Sequence, residues 1–351
     1  MSRRLLQAIA GAPHGGAETF FVRLAGALQQ AGETQRVLIR RDAERLGRLR
    51  AAGVEVEELR FGGPLDIATR YRFRHAVATW RPNLVLTWMS RATLACPRGE
   101  FVHVARLGGY YDLKYYRRCD HLIANTGEIV DYVVAAGWPC ERIDYLPNFV
   151  PDAGTTRPAA RPAGDPLALA VGRLHPNKGF ALLLEALAMT RDVRLDIAGD
   201  GPLRGDLVAL AQKLGVANRA RFLGWRTDVA ALLAQADVFV CPSLREPLGN
   251  VVIEAWSAGV PVIATASQGP AALIDNEVNG ILVPLPGQPG GGPAALAAAI
   301  ERLCRSPEKR RQLGRAGRRA YEAEYTEAAV VGRYREFFDR LVEKYSVPLD
   351  G

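Results

Sequence analysis

The stretch VFVCPSLREPLGNVVIEAWSAGV, residues 238–260, decides how the rest of the chain is read. Its first four residues, Val238–Cys241, form a short apolar run rich in β-branched and aromatic types, which predicts a buried strand. Pro242 and Pro247 then keep the chain open as a loop that carries Glu246. Gly249 closes that loop and opens a helix predicted over Val251–Ala258. A strand, a loop and a helix in that order are half of a βαβ unit, and ligands meet such units at the strand's carboxyl end.

Working outward, the same alternation recurs in both directions. Strands are predicted at Leu167–Val171, Val193–Ala198, Arg221–Leu223 and Val260–Ala264, with helices at Phe180–Met189, Leu203–Leu214 and Val229–Ala234. The Gly/Pro-rich loop Pro284–Pro293, with Gly287–Gly292 expected to be mobile surface, precedes two terminal helices. Upstream, PDAGTTRPAARPAGDP (151–166) has four prolines and no periodicity, and reads as a linker. Before it, strands are predicted at Leu5–Ala10, Gln35–Ile39, Val54–Leu59, Asn83–Thr87, Phe101–Ala105, His121–Ala124 and Arg142–Leu146, with helices such as Ala17–Ala31 and Thr69–Thr79. Strands alternating with helices predict parallel sheets covered on both faces. The fold class is therefore α/β, with two Rossmann-like doubly wound domains facing a cleft, residues 1–155 and 156–351, and the C-terminal helix packing back on the first. A chain of 351 residues is long enough for two cores.

Composition narrows the function classes. Hydrophobic residues make up 48% of the chain, yet no run approaches the ~18 uninterrupted apolar residues of a membrane span. Met1–Ala10 has the arginines of a signal-peptide n-region, but Gly11, Pro13 and His14 cut the apolar run short. It reads as a first strand, and the expected location is the cytoplasm. The five cysteines are scattered without a C-x-x-C pair, so neither a metal cluster nor a disulfide framework is expected. The net charge of +8 is mostly spread, with one concentration at Tyr110, Tyr111, Lys114, Tyr115, Tyr116, Arg117 and Arg118. Aromatics interleaved with bases suit a phosphorylated, sugar-rich acceptor or the anionic inner face of the cytoplasmic membrane; a half-buried helix with a solvated basic face is the other reading. No RNA-binding motif accompanies the cluster, and no nucleic-acid partner is expected.

Several loops carry chemistry. Gly249 lets backbone approach a ligand, and the helix start behind it, Leu248, Gly249, Asn250 and Val251, offers unpaired N–H groups that suit a diphosphate. Glu254, inside that helix, can accept from two vicinal ribose hydroxyls, and Glu246 from sugar hydroxyls. In VGRLHPNKGF (171–180), Gly172 precedes Arg173 and Lys178, two cations at a strand end able to neutralise a leaving diphosphate. The turns at Gly199 (AGDGP, 198–202) and at Trp225–Arg226 (FLGWR, 222–226) present backbone to a nucleobase. His14, Gly15 and Gly16 open a helix after the first strand, again suited to anionic oxygen. Each has a plain alternative as a solvated base, an ordinary glutamate or a tight turn.

Taken together, HGGAE (14–18), GRLHPNKGF (172–180), AGDGP (198–202), FLGW (222–225), PSLREPLGNVVIEAWSAGVPVIAT (242–265) and NGILVP (279–284) resemble glycosyltransferase family 4, the retaining transferases of GT-B fold. The resemblance spans nearly the whole chain. It implies a UDP- or GDP-sugar donor, a saccharide or lipid-linked acceptor, and no metal or other cofactor. It further implies that Arg173 and Lys178 bind the diphosphate, Glu246 the donor sugar and Glu254 the ribose. The Gly15–Gly16 loop would lie near the distal phosphate and the acceptor, and the turn Leu248–Val251 would supply backbone donors. RLGGYYDLKYYRRCDHLIANT (106–126) looks like members that build lipopolysaccharide or related envelope glycans. One departure stands out: many members carry a histidine after the strand that here ends near Ala105, where this chain has Arg106. Either His103 faces the core, or the site uses Arg106, which suits an anion but cannot act as a base. His14, His103, Tyr110 and Tyr111 are the candidate acceptor contacts. The motifs leave room for a nucleotide-sugar 2-epimerase or a non-catalytic binding subunit; a phosphorylase fits less well, with no lysine placed to hold pyridoxal phosphate.

Overall fold

A computed structural model of the chain describes residues 3–12, 15–63, 65–154 and 165–346. It divides into two compact units, Met1–Asn148 with Glu327–Gly351, and Phe149–Thr326. The boundary therefore falls at Asn148, not 155, and the chain returns to the first unit for its last helix. Most of the linker expected at 151–166 lies outside the described residues.

The first unit is built on strands β1 (Arg4–Ile9), β2 (Thr34–Arg40), β3 (Glu55–Leu59), β4 (Leu84–Trp88), β5 (Val102–Leu107), β6 (His121–Ala124) and β7 (Ile143–Tyr145). All pair in parallel, in the order β3-β2-β1-β4-β5-β6-β7. The chain winds outward from β1, comes back at β4 and winds the other way, so a crevice opens between the carboxyl ends of β1 and β4. Both faces of the sheet are covered, which is why Leu5, Leu6, Ala8 and Ile9 are all fully buried. Gln7 shares that burial because it is satisfied: Trp88 Nε1 donates to its Oε1 (3.2 Å) and its Nε2 donates to Gln35 Oε1 (2.9 Å).

The last helix, Glu327–Ser346, buries Val330, Val331, Tyr334, Phe337, Phe338 and Leu341, an apolar stripe at helical spacing. Two ion pairs tie it to the first unit, Arg3 with Asp339 and Arg340 with Asp144. Burial raises the Asp144 carboxyl, but hydrogen bonds from His121 and Arg340 outweigh it and hold that carboxyl below its ordinary value.

The second unit carries β8 (Leu167–Val171), β9 (Arg194–Ala198), β10 (Ala220–Gly224), β11 (Val238–Cys241), β12 (Val262–Thr265) and β13 (Ile281–Val283). Their order is β10-β9-β8-β11-β12-β13, again all parallel, so the winding reverses between β8 and β11. Strand β13 was hidden inside the NGILVP motif, being too short to show a period. The Gly287–Gly292 stretch is a hydrogen-bonded turn, with Gln288 N–H donating to Leu285 O (3.0 Å) and Gly291 N–H to Gln288 O (3.0 Å). Three helices, Pro293–Arg305, Pro307–Glu324 and Glu327–Ser346, stand where two were expected.

Candidate active site

In the second unit the loops leaving β8 and β11 emerge side by side at the reversal point, and they are locked to one another. The N–H groups of Leu244 and Arg245 both donate to Asn177 O (2.8 and 3.1 Å). Gly179 has φ +64°, and a Cβ there would sit 1.9 Å from Pro242 O, so only glycine permits this approach. The consequence is a contact between residues far apart in sequence: Lys178 Nζ donates to Glu246 Oε2 in an ion pair. Glu246 is 8% exposed and accepts a second hydrogen bond from Ser243 Oγ (3.4 Å). Beneath them Cys241 is fully buried, and burial followed by the Glu246 charge pushes its thiol up to about 11.

The loop after β12 holds the main chain of the Ser243–Glu246 loop in place. Gly269 N–H donates to Glu246 O (2.7 Å), and Thr265 Oγ1 donates to Ser243 O (2.6 Å). Gly249 (φ +69°) then turns the chain into the helix Asn250–Ser257. Among the described residues nothing accepts from the N–H groups of Leu248, Gly249 and Val251; Leu248 and Val251 are half-buried, and Gly249 is buried against Gly269. Arg173 is exposed and has no side-chain partner among the described residues. Glu254 is half-buried in the same helix.

The N–H groups of Gly172 and Gly199 are used inside the second unit. Gly172 N–H donates to Ala198 O (3.0 Å) and Gly199 N–H donates to Gly224 O (2.7 Å), so both are consumed within the sheet edge. Their lack of a side chain serves packing: a Cβ on Gly199 would lie 1.9 Å from Gly172 O. Arg226 is likewise occupied, its Nε donating to Asp228 Oδ1 (2.7 Å). Trp225 is 75% exposed, at the end of β10, two strands or roughly 10 Å from β8.

The carboxyl edge of the first sheet holds a different set. His14 lies outside the described residues. Gly15 caps the helix Gly16–Gln30, and Gly16 is its first residue; Glu18, buried in that helix, accepts from Ala12 N–H (2.8 Å) and so braces the loop after β1. At the end of β4, Met89 adopts φ +68°, a strained conformation for a side-chain-bearing residue and one that sequence gave no sign of. His103 is not an edge residue. It sits near the start of β5, buried, with Nε2 3.0 Å from Thr87 Oγ1, and burial followed by the Arg118 charge lowers it to about 4. It is withdrawn as an acceptor contact.

Arg106 is at the edge, and it is 3% exposed. Its guanidinium lies against both rings of the contacting pair Phe20 and Trp88, at 4.7 and 4.6 Å. Nε donates to Tyr334 Oη (2.9 Å) on the last helix and Nη2 donates to Asn148 Oδ1. No carboxylate pairs with it among the described residues. Beside it, Asn125 has a buried Oδ1 with no hydrogen-bond partner, a polar group left for a ligand.

In the Tyr/Arg cluster the bases Lys114, Arg117 and Arg118 are exposed, while the tyrosines differ in burial. Tyr116 is fully buried and Tyr111 half-buried, with burial raising the Tyr111 hydroxyl. Tyr110, Asp112, Lys114 and Arg117 form one wall of a cavity of about 670 Å³ whose other wall is Tyr132 and Trp138. Tyr110 Oη donates to Glu128, Tyr132 Oη to Tyr111 O (3.1 Å) and Trp138 Nε1 to Arg142 O (2.9 Å), so polar tips are occupied and ring faces remain.

Residues 155–320 match the family described as Glycosyl transferases group 1, and residues 14–153 that described as Glycosyltransferase Family 4. The lipopolysaccharide core biosynthesis glycosyltransferase LpsE of Rhizobium meliloti is 35% identical over 337 residues, 91% of this chain and 94% of its own length. The chain belongs to glycosyltransferase family 4. LpsD of the same organism, also described as a lipopolysaccharide core biosynthesis glycosyltransferase, is 34% identical over 345 residues, 94% of this chain and 96% of its own. Among solved structures, Anabaena Alr3699/HepE in complex with UDP and glucose aligns with a TM-score of 0.79 at 21% identity, covering 96% of this chain and 100% of that one. The fold of this family-4 enzyme is GT-B, and its activity is glycosyl transfer.

Proposed function

We propose that this enzyme transfers a sugar from a nucleoside-diphosphate donor, with retention at the anomeric carbon, to a sugar of a lipopolysaccharide core or related envelope glycan. The observation that carries the donor assignment is the Lys178–Glu246 pair at the winding reversal, beneath the free N–H groups of Leu248, Gly249 and Val251. Lys178, Arg173 and the helix start receive the diphosphate; Glu246 holds a hydroxyl of the donor sugar and Glu254 the ribose. In transfer, the acceptor oxygen bonds to the anomeric carbon on the face from which the diphosphate leaves. The acceptor's proton passes to a diphosphate oxygen, and the cations stabilise the charge on the departing group. They take the place of a divalent ion. The HepE complex supports a uracil nucleotide as the base, and the names of LpsE and LpsD support the acceptor class.

We assign the acceptor to the first unit. Arg106 and the Asn125 amide face it at the sheet edge, and the cavity between Tyr110 and Trp138 takes a further, anionic saccharide on Lys114 and Arg117. The reaction belongs in the cytosol. The test is turnover of a UDP- and GDP-sugar panel with and without a core oligosaccharide acceptor. Transfer to the oligosaccharide is expected, and donor alone is expected to yield only slow hydrolysis. Conversion of the donor alone into a second nucleotide sugar would assign an epimerase instead. The variant Lys114→Ala/Arg117→Ala should raise the acceptor KM and leave the donor KM unchanged.

A further inference from the structure

The carboxyl ends of β5 and β6 enclose a small polar gap that the fold itself does not fill. Arg106 on β5 is buried, yet its Nη1 donates to nothing among the described residues, while Nε and Nη2 are spent on Tyr334 and Asn148. Asn125, the residue after β6, is 5% exposed, and its Oδ1 has no hydrogen-bond partner. Gly108 stands between them. A Cβ at that position would lie 3.6 Å from Asn125 Nδ2 and 3.9 Å from Arg106 Nη1, both ordinary contacts. Apart from its chain neighbours, no other described residue comes within 4 Å of that point, and the φ of Gly108 is not positive. Neither backbone conformation nor packing therefore calls for glycine here. The space a side chain would take is walled by an unused guanidinium edge and an unused amide oxygen.

Charge then selects what enters. A guanidinium taken out of water is costly unless it is hydrogen-bonded and paired with an anion. The rings of Phe20 and Trp88 and two neutral acceptors cover part of Arg106, and none of them carries a negative charge. Glu18 and Glu128 belong to the same sheet edge but are engaged elsewhere, Glu18 by Ala12 N–H (2.8 Å) and Glu128 by Tyr110 Oη (2.9 Å). We propose that this gap binds the carboxylate of an acidic sugar, a uronic or ulosonic acid residue of the acceptor. Arg106 Nη1 donates to the carboxylate, and Asn125 Oδ1 accepts from a hydroxyl of the same sugar. A sugar acid suits both groups because its carboxylate and its hydroxyls stand a carbon or two apart. A phosphate suits them less, since it brings a charge of about −1.5 to −2 to a single open cation. This rests on the first unit holding the acceptor, and it makes an acidic sugar part of that acceptor.

The test is calorimetric titration of the full chain, loaded with UDP, by a core oligosaccharide that contains uronic or ulosonic acid residues. The same oligosaccharide is titrated after carboxyl reduction, which turns each carboxylate into a hydroxymethyl group. Wild type is expected to bind the native form roughly ten- to a hundredfold more tightly, the worth of a hydrogen bond to a charged group. Asn125→Asp sets a carboxylate of the protein's own in the gap. It should bring the native form down to the affinity of the reduced one, with a melting midpoint no lower than wild type because Arg106 gains a partner. Gly108→Ala fills the gap with a methyl group in ordinary contact and should have the same effect. The preference should persist at about tenfold or more in Lys114→Ala/Arg117→Ala, which places it outside the Tyr110–Trp138 cavity. The proposal is overturned if wild type binds both forms equally or the native form not at all, or if Asn125→Asp and Gly108→Ala both keep the preference. Affinity lost on dephosphorylation of the oligosaccharide rather than on carboxyl reduction overturns it in favour of phosphate. Tighter binding of UDP-glucuronic acid than of UDP-glucose, removed by Asn125→Asp, overturns it by moving the carboxylate to the donor. A preference for the native form without transfer to it would remove the proposed reaction and leave the acidic-sugar site standing; transfer without preference does the reverse.

Discussion

Replacing Lys178 by alanine isolates what the pair at the winding reversal contributes to transfer. Two unit charges 4 Å apart interact by about 4 kcal/mol at an effective dielectric of ~20. Because the Lys178 side chain is 27% exposed, part of that is screened, and the transition state should lose about 3 kcal/mol. That corresponds to a fall of roughly 10² to 10³ in kcat, the scale seen when one oxyanion donor is removed. The same substitution leaves Glu246 buried with only Ser243 Oγ at 3.4 Å, which costs about 1–3 kcal/mol of stability. The two effects separate in Lys178→Ala/Glu246→Gln: removing the orphaned charge restores the unfolding midpoint, while kcat stays low. The assay is release of nucleoside diphosphate with acceptor present, alongside a thermal melt. A folded Lys178→Ala enzyme turning over within about threefold of wild type would refute the reasoning.

Other outcomes follow from the same geometry. Gly179→Ala should destabilise the second unit by more than about 2 kcal/mol and abolish transfer, since its Cβ meets Pro242 O; a melt and an activity assay check both. Tyr334→Phe removes a hydrogen bond to a buried guanidinium and should cost about 1.5–3 kcal/mol, read as a lower midpoint. His103, lowered to about 4, stays neutral in the folded chain while the unfolded chain takes up a proton below about 6.5. Its contribution is full above 6.5 and is lost as pH falls towards 4, by about 3 kcal/mol across that window; His103→Gln should flatten the dependence. Chelation with EDTA should leave turnover unchanged, and loss of activity restored by a divalent ion would place a metal in the reaction.

The strands were legible because parallel strands covered on both faces read as short continuous apolar runs. The same burial hid which way His103 and Arg106 point: with both faces covered, residues 102–107 alternate between two apolar environments, and the pattern carries no sign. The short helix Met89–Ala95 begins directly at Trp88 with no side-chain cap, so it lacked a start signal. The loops bearing Arg173, Lys178 and Glu246 were readable as loops, but not the ion pair itself. That depends on β8 and β11 being neighbours, a property of strand order rather than of local sequence. Asn125, Asn148 and Tyr334 were missed because nothing around them marks a ligand; their role comes only from converging on Arg106.

The return of the last helix to the first unit has a temporal consequence. Tyr334, the partner of Arg106, and the apolar stripe from Val330 to Leu341 leave the ribosome only after all of Phe149–Thr326 has been made. At ~5–20 residues per second the earlier half waits roughly 10–40 s with part of its core bare. The second unit is continuous in the chain and is complete first, so a protein that begins with one sheet finishes folding with it.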